Sequence, residues 1–231
     1  MARSSIRSIK VYELGLTSYE DVHTLQQRLQ GQRRQGAGLD SLLITEHHPV
    51  ITLGRSHSDP DVRVPLELIR ANSIDVVQTE RGGNVTYHGP GQLVAYGIID
   101  LKAWDMPVLD YLWALEETVL HVLADWGVQG SRLPAARGVW VNGRKIASVG
   151  INVRRWVTMH GIALNIDPNM THWSMINPCG MPDVEVTSLV REARTAAPMA
   201  SVVESFVRHF RDILDCAAEQ IALPSPRAAA R

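Results

Sequence analysis

The sequence predicts an α+β fold, a mixed β-sheet flanked by helices. Two observations carry this. Short apolar or alternating runs suited to strands are interspersed with helical segments, without the strict strand–helix alternation of an all-parallel sheet. Two long stretches, about 105–126 and 199–217, repeat an apolar residue every three or four positions, as amphipathic helices do.

In chain order, residues 6–14 alternate and fit a strand, and residues 19–34 place Val22, Leu25 and Leu29 on one helical face. Gly36 and Gly38 end that helix. Residues 41–45 form an apolar run suited to a buried strand, and Val50-Ile51-Thr52-Leu53 follows Pro49. The polar stretch 55–65, with two prolines, reads as a loop. A short helix near 65–71, a strand near 74–78 and a central strand over 92–101 come next. The first long helix has Val108, Leu112, Leu115, Val119, Val122 and Trp126 as its stripe, with Gly127 placed to cap it. Strands fit 137–141, 145–153 and 157–166. Met199, Val203, Phe206, Phe210, Ile213 and Ala217 stripe the last helix. Residues 1–222 are expected to form one domain, and the Pro/Ala-rich stretch 223–231 to fray.

The 231 residues are enough to bury a substantial core. A formal net charge of −1 gives no sign of a nucleic-acid partner. No apolar run approaches the roughly 18 residues that span a bilayer, and no apolar segment follows the basic residues Arg3, Arg7 and Lys10 as a signal peptide requires. Two cysteines do not make a disulfide framework, so a reducing cytoplasm is expected.

Cys179 lies in Asn177-Pro178-Cys179-Gly180-Met181-Pro182, where Pro and Gly place the sulfur on a turn. A thiol so presented can act as a nucleophile, or it can fill a small apolar gap as free cysteines commonly do. Cys216 falls beside the stripe of the last helix and reads as core. The stretch Arg81-Gly82-Gly83-Asn84-Val85-Thr86-Tyr87-His88-Gly89-Pro90-Gly91-Gln92 lets the backbone approach a ligand closely; equally, it could be a tight hairpin. It lacks the spacing of a phosphate loop. Lys145 follows the turn signal Asn142-Gly143 and shares a strand face with Ala147 and Val149. A solvated turn lysine and a desolvated base both fit that position. None of the nine histidines, His47-His48 included, falls in a metal-ligand motif, so no metal is expected.

Taken together, three blocks resemble the lipoyl(octanoyl) transferase family. The first is Arg81-Gly82-Gly83-x-x-Thr86-Tyr87-His88-x-x-Gly91-Gln92. The second is Gly143-Arg144-Lys145-Ile146-Ala147-Ser148-Val149-Gly150, continued by His160-Gly161-Ile162-Ala163-Leu164-Asn165. The third is Ile176-Asn177-Pro178-Cys179-Gly180. Order and spacing agree from about residue 40 to 190, with no departure inside the motifs.

The resemblance implies a fold similar to biotin and lipoate protein ligases. It implies transfer of an octanoyl (or lipoyl) group from octanoyl-acyl carrier protein to a lysine of lipoate-dependent proteins, namely the lipoyl domains of 2-oxoacid dehydrogenases and the glycine cleavage H protein. No cofactor is implied. Cys179 would carry the acyl thioester and Lys145 would be its acid/base partner. Residues Arg81, Gly82, Gly83, Asn84, Val85, Thr86, Tyr87 and His88 would line the acyl pocket with Ser148, Val149, Gly150, Gly161, Ile162 and Ala163.

Residue chemistry agrees with such a role. A thiol of pKa about 8.5 is only a few per cent thiolate at pH 7, and a nearby ammonium raises that fraction. Backbone N–H groups of the 81–92 loop or of Gly180 are expected to face the oxyanion, and Arg144, Arg154 and Arg155 are candidates to meet the acidic carrier. The competing readings are an ATP-dependent lipoate or biotin ligase, which needs no cysteine, and a non-catalytic acyl-binding adaptor.

Overall fold

The structure, a computed structural model, describes residues 7–58, 61–134 and 136–221. The expected frayed stretch 223–231 lies outside these residues. Among the described residues there are eleven strands: β1 (Arg7–Thr17), β2 (Asp40–His47), β3 (Val50–Leu53), β4 (Asp75–Gln78), β5 (Val85–His88), β6 (Gln92–Ile98), β7 (Ser131–Leu133), β8 (Ala136–Val141), β9 (Arg144–Arg154), β10 (Val157–Asn165) and β11 (Cys216–Gln220). The helices are α1 (Tyr19–Arg34), α2 (Leu66–Ala71), α3 (Val108–Asp125), α4 (Leu189–Ala193) and α5 (Met199–Leu214).

Eight strands form one sheet in the order β11-β1-β2-β6-β10-β9-β8-β7. β1 runs parallel to β11 and β2, whereas the other neighbours are antiparallel. The sheet is therefore mixed, as the sequence predicts. Strand alternation sorts its two faces. Leu42, Ile44, Leu93, Ala95, Ile162 and Leu164 point to one side and form the main core with α3 and α5. Leu43, Val94, Tyr96 and Ala163 point to the other side and meet Val22 of α1. Each fully buried Leu, Ile or Phe of this kind stabilises the fold by about 1.5–3 kcal/mol. Ser18 caps α1 by accepting the Asp21 amide at 3.1 Å.

A second sheet, β4-β3-β5, has its own small core of Ile51, Ile69, Ile74, Val85, Tyr87, Trp173 and Ile176. This separates two strands that the sequence could pair as a hairpin. β5 joins the small sheet through β3, and β6 joins the large one between β2 and β10. Gly89-Pro90-Gly91 carries the chain between them.

Several boundaries differ from expectation. The last helix stops at Leu214, because Asp215 takes a left-handed conformation (φ 48°) that ends the turn. Cys216 therefore opens strand β11, where it is buried against β1 instead of lying on a helix. Strands β5, β7 and β11 and helix α4 are too short to show a period in sequence. No helix of the described residues is long and apolar enough to cross a membrane.

Candidate active site

Cys179 sits on a tight turn, Pro178–Gly180, with backbone angles φ 57° and ψ 25°. A side-chain-bearing residue held there costs about 1–2 kcal/mol, so surrounding contacts must hold it. They do. The Val62 segment pairs with Ile176, and the Asn177 amide donates to the Asp61 carbonyl at 2.8 Å. Asn84 reaches over the turn, donating to the Ser56 carbonyl at 2.8 Å and to Asp61 at 3.2 Å. A Cβ on Gly180 would meet the Asn84 amide nitrogen at 2.6 Å, and φ there is +70°, so glycine is required.

Lys145 is almost fully buried, with 1% of its surface exposed. Asn142 (φ 51°) and Gly143 (φ 78°) form the turn that starts β9, as the Asn-Gly signal predicts. The Lys145 amide donates to the Glu185 carbonyl at 2.8 Å, and its carbonyl accepts the Thr187 amide at 2.9 Å. The chain just after Cys179 is thus stitched to the Lys145 backbone. The ammonium donates to the Arg137 carbonyl and lies 4.6 Å from the centre of the Trp140 ring. The Cys179 thiol also acts on it, favouring its charged form. Burial lowers its pKa, against the pull of Cys179 and Glu116. The solvated-lysine alternative is therefore excluded.

A cavity between the two sheets, with about 420 Å³ of space counting its open mouth, brings the remaining predicted residues together. The small sheet and its preceding loop contribute Arg81, Gly82, Gly83, Asn84, Val85, Thr86 and His88. The large sheet contributes Ser148, Val149, Gly150, Gly161, Ile162 and Ala163, with Val94 in addition, and Cys179 stands in the wall. Register explains the open floor: Gly161 lies opposite Gly150, and Ala163 opposite Ser148. Tyr87 is the exception. Alternation along β5 turns it into the small core, where its hydroxyl meets His172 Nδ1 at 2.8 Å.

The polar groups of the wall are tightly held. Arg81 is 8% exposed and donates to Thr52 Oγ1 and the Thr52 carbonyl at 2.6–3.1 Å. Among the described residues it has no ion-pair partner, and Cys179 is one of the groups that feel its charge. Burial pushes His88 down to about 3, so it is neutral at physiological pH. Gln92 donates to Asn165 Oδ1 at 2.8 Å, which leaves its carbonyl oxygen to accept from His88 Nδ1 at 2.7 Å. Asn165 in turn donates to the Thr187 carbonyl at 3.0 Å, ending beside Lys145. Thr86 Oγ1 is buried with no hydrogen-bond partner among the described residues.

Two of the expected oxyanion donors are already committed. The Gly180 amide is committed to the Asn177 carbonyl at 2.9 Å, and the Gly82 amide to Ile151 at 2.9 Å. Arg144, a candidate for docking a carrier, is paired with Glu192 at 2.9 Å. Two contributors escaped sequence reasoning. Glu116 of α3 is buried beside the helix stripe and accepts the Gly138 amide at 2.8 Å. Gly138 itself has φ +109°, and a Cβ there would lie 2.8 Å from the Lys145 nitrogen. A glycine inside a strand pattern was the available signal.

The pattern that defines the lipoyl protein ligase A/B catalytic domain matches residues 18–211. An octanoyltransferase of Chloroflexus aggregans is 43% identical over 214 residues, covering 91% of this chain and 96% of that protein. One of Myxococcus xanthus is 39% identical over 227 residues; this chain spans 63% of its length. In fold, the chain is similar to a bi-partite lipoate protein ligase of Thermoplasma acidophilum described with its E2 lipoyl domain (TM-score 0.71, 14% identity, 96% of this chain and 89% of that one). It is also similar to a biotin protein ligase of Aquifex aeolicus in complex with biotin and ATP (TM-score 0.54, 15% identity, 89% and 69%). With its fold, its cavity and matches of this extent, the chain belongs to the lipoyl protein ligase A/B catalytic domain family.

Proposed function

We propose that this chain is an octanoyltransferase of protein lipoylation, moving octanoate from acyl carrier protein through a thioester on Cys179. A partly buried thiol in the wall of a cavity floored by small residues, acting on a buried amine, supports the reading. In the first half, Lys145 takes the thiol proton and the thiolate attacks the donor carbonyl. The carrier's thiol leaves with the proton returned by Lys145. In the second half, a substrate lysine attacks the Cys179 thioester and loses its proton to Lys145, which hands it to the departing sulfur. Burial of Lys145 favours its neutral form and suits it to both transfers.

The cavity holds the alkyl chain mainly by apolar contact, at about 0.8 kcal/mol per buried methylene. The unpartnered Thr86 hydroxyl supplies a donor inside it. The acceptors are lysines of the lipoyl domains of 2-oxoacid dehydrogenases and of the glycine cleavage H protein, and the reaction is read as cytoplasmic.

The test combines octanoyl-acyl carrier protein, an apo lipoyl domain and this chain without ATP. Octanoylation of the domain is expected, and its loss in Lys145→Ala and Cys179→Ser. Transfer that needs free octanoate and ATP, and survives Cys179→Ser, would make the chain a ligase. Binding of octanoate without any transfer would make it an adaptor.

A further inference from the structure

Three side chains distant in sequence converge behind the cavity wall. His23 of α1, Glu80 before β5 and His160 of β10 each offer one ligand atom, and these atoms lie within 4.8 Å of one another. His23 Nε2 is 3.0 Å and 3.1 Å from the two Glu80 oxygens, and His160 Nε2 is 3.9 Å from the nearer one. The two imidazoles stack at 5.8 Å. His160 is buried, with a side-chain exposure of 2%, and its Nε2 has no hydrogen-bond partner among the described residues. An unsatisfied buried nitrogen costs about 1–3 kcal/mol unless a ligand takes it up.

From this cluster we infer a binding site for a divalent transition ion of the zinc class. Two imidazoles and one carboxylate form a donor set suited to zinc and unlike the all-oxygen sets of calcium and magnesium. Tetrahedral bonds of about 2.0–2.1 Å require donor separations of about 3.3 Å. The His23–Glu80 pair is already near that value, and His160 has a short distance to close. His23 and Glu80 are partly exposed, at 18% and 25%, which gives the ion a path in and leaves its fourth position to water.

The backbone is arranged to hold these donors. The His160 amide donates to Gln26 Oε1 of α1 at 2.9 Å, and Asn152 Nδ2 donates to the Glu80 carbonyl at 2.9 Å. A bound ion would replace the hydrogen now shared by His23 and Glu80. It would clamp α1 to β10 and to the loop leading into Arg81, both of which shape the cavity. The expectation that no metal binds rested on local spacing, and positions 23, 80 and 160 share none.

The test adds zinc chloride to the chelator-stripped full chain bearing Cys179→Ser, which keeps zinc off the thiol. One zinc per chain and a raised melting temperature are expected, together with the absorption band of tetrahedral cobalt when cobalt replaces zinc. His23→Ala and Glu80→Gln, both at partly exposed positions, should each weaken binding about tenfold or more. Absence of stoichiometric zinc in the parent protein, or zinc bound equally well by both variants, would overturn the site.

Discussion

Replacing Gly138 by alanine perturbs Lys145 without touching the sulfur or the cavity. The new Cβ would lie 2.3 Å from the Ala147 carbonyl oxygen and 2.8 Å from the Lys145 nitrogen. The first contact is with backbone, so strand β8 must move away from β9; the second drives the ammonium off its place on the Arg137 carbonyl. A side-chain-bearing residue at φ +109° adds about 1–3 kcal/mol of strain. The folded variant is therefore expected to melt earlier. Displacing a reacting group by about 1 Å costs on the order of 10²-fold in rate. The assay is single-turnover acylation of the enzyme by octanoyl-acyl carrier protein, run below the variant's melting temperature, with donor affinity measured separately. Acylation should slow by about that factor while affinity holds. Glu116→Gln, which removes the charge near Lys145 and retains an acceptor for the Gly138 amide, should slow it less. A folded Gly138→Ala enzyme acylated at the normal rate would refute the assignment of Lys145.

Acid should destabilise the fold steeply. Burial lowers His47 to about 4 and His88 to about 3, whereas an unfolded imidazole takes its proton near pH 6.5. Between these values the unfolded state holds more protons, so stability falls with falling pH, by at most about 2.7 kcal/mol per pH unit for the two together; urea midpoints that do not drop between pH 6.5 and 5 would contradict this. Ala163→Leu fills the floor opposite Ser148 and removes room for about three methylenes, so selectivity should shift from octanoyl toward shorter acyl donors by roughly 50-fold; an unchanged chain-length profile would put the alkyl group elsewhere. Cys216→Ala should keep full turnover, since burial pushes that thiol up to about 11 and keeps it protonated; inactivity of the folded variant would reveal a role not assigned to it.

Much of the site is legible in the chain because its residues come in contiguous blocks. A block of glycines on adjacent paired strands fixes an open floor through register, and Asn142-Gly143 fixes the turn that launches Lys145. Elements shorter than one helical or strand period, such as β7 and α4, leave no comparable mark. Tyr87 shows where block reading fails: it sits inside the signature, and strand alternation turns it to the opposite side from Thr86 and His88. Long-range partners are hidden for another reason. Glu116 reads as the polar edge of a helix until the fold brings Gly138 against it, and His23, Glu80 and His160 meet only through the packing of α1 on β10.

The most direct measurement is intact mass of the enzyme quenched after mixing with octanoyl-acyl carrier protein in the absence of acceptor. A single octanoyl adduct is expected, mapped to the peptide carrying Cys179, removed by hydroxylamine, and passed on when a lipoyl domain is added. An enzyme that octanoylates the lipoyl domain at full rate while never bearing that adduct would contradict it.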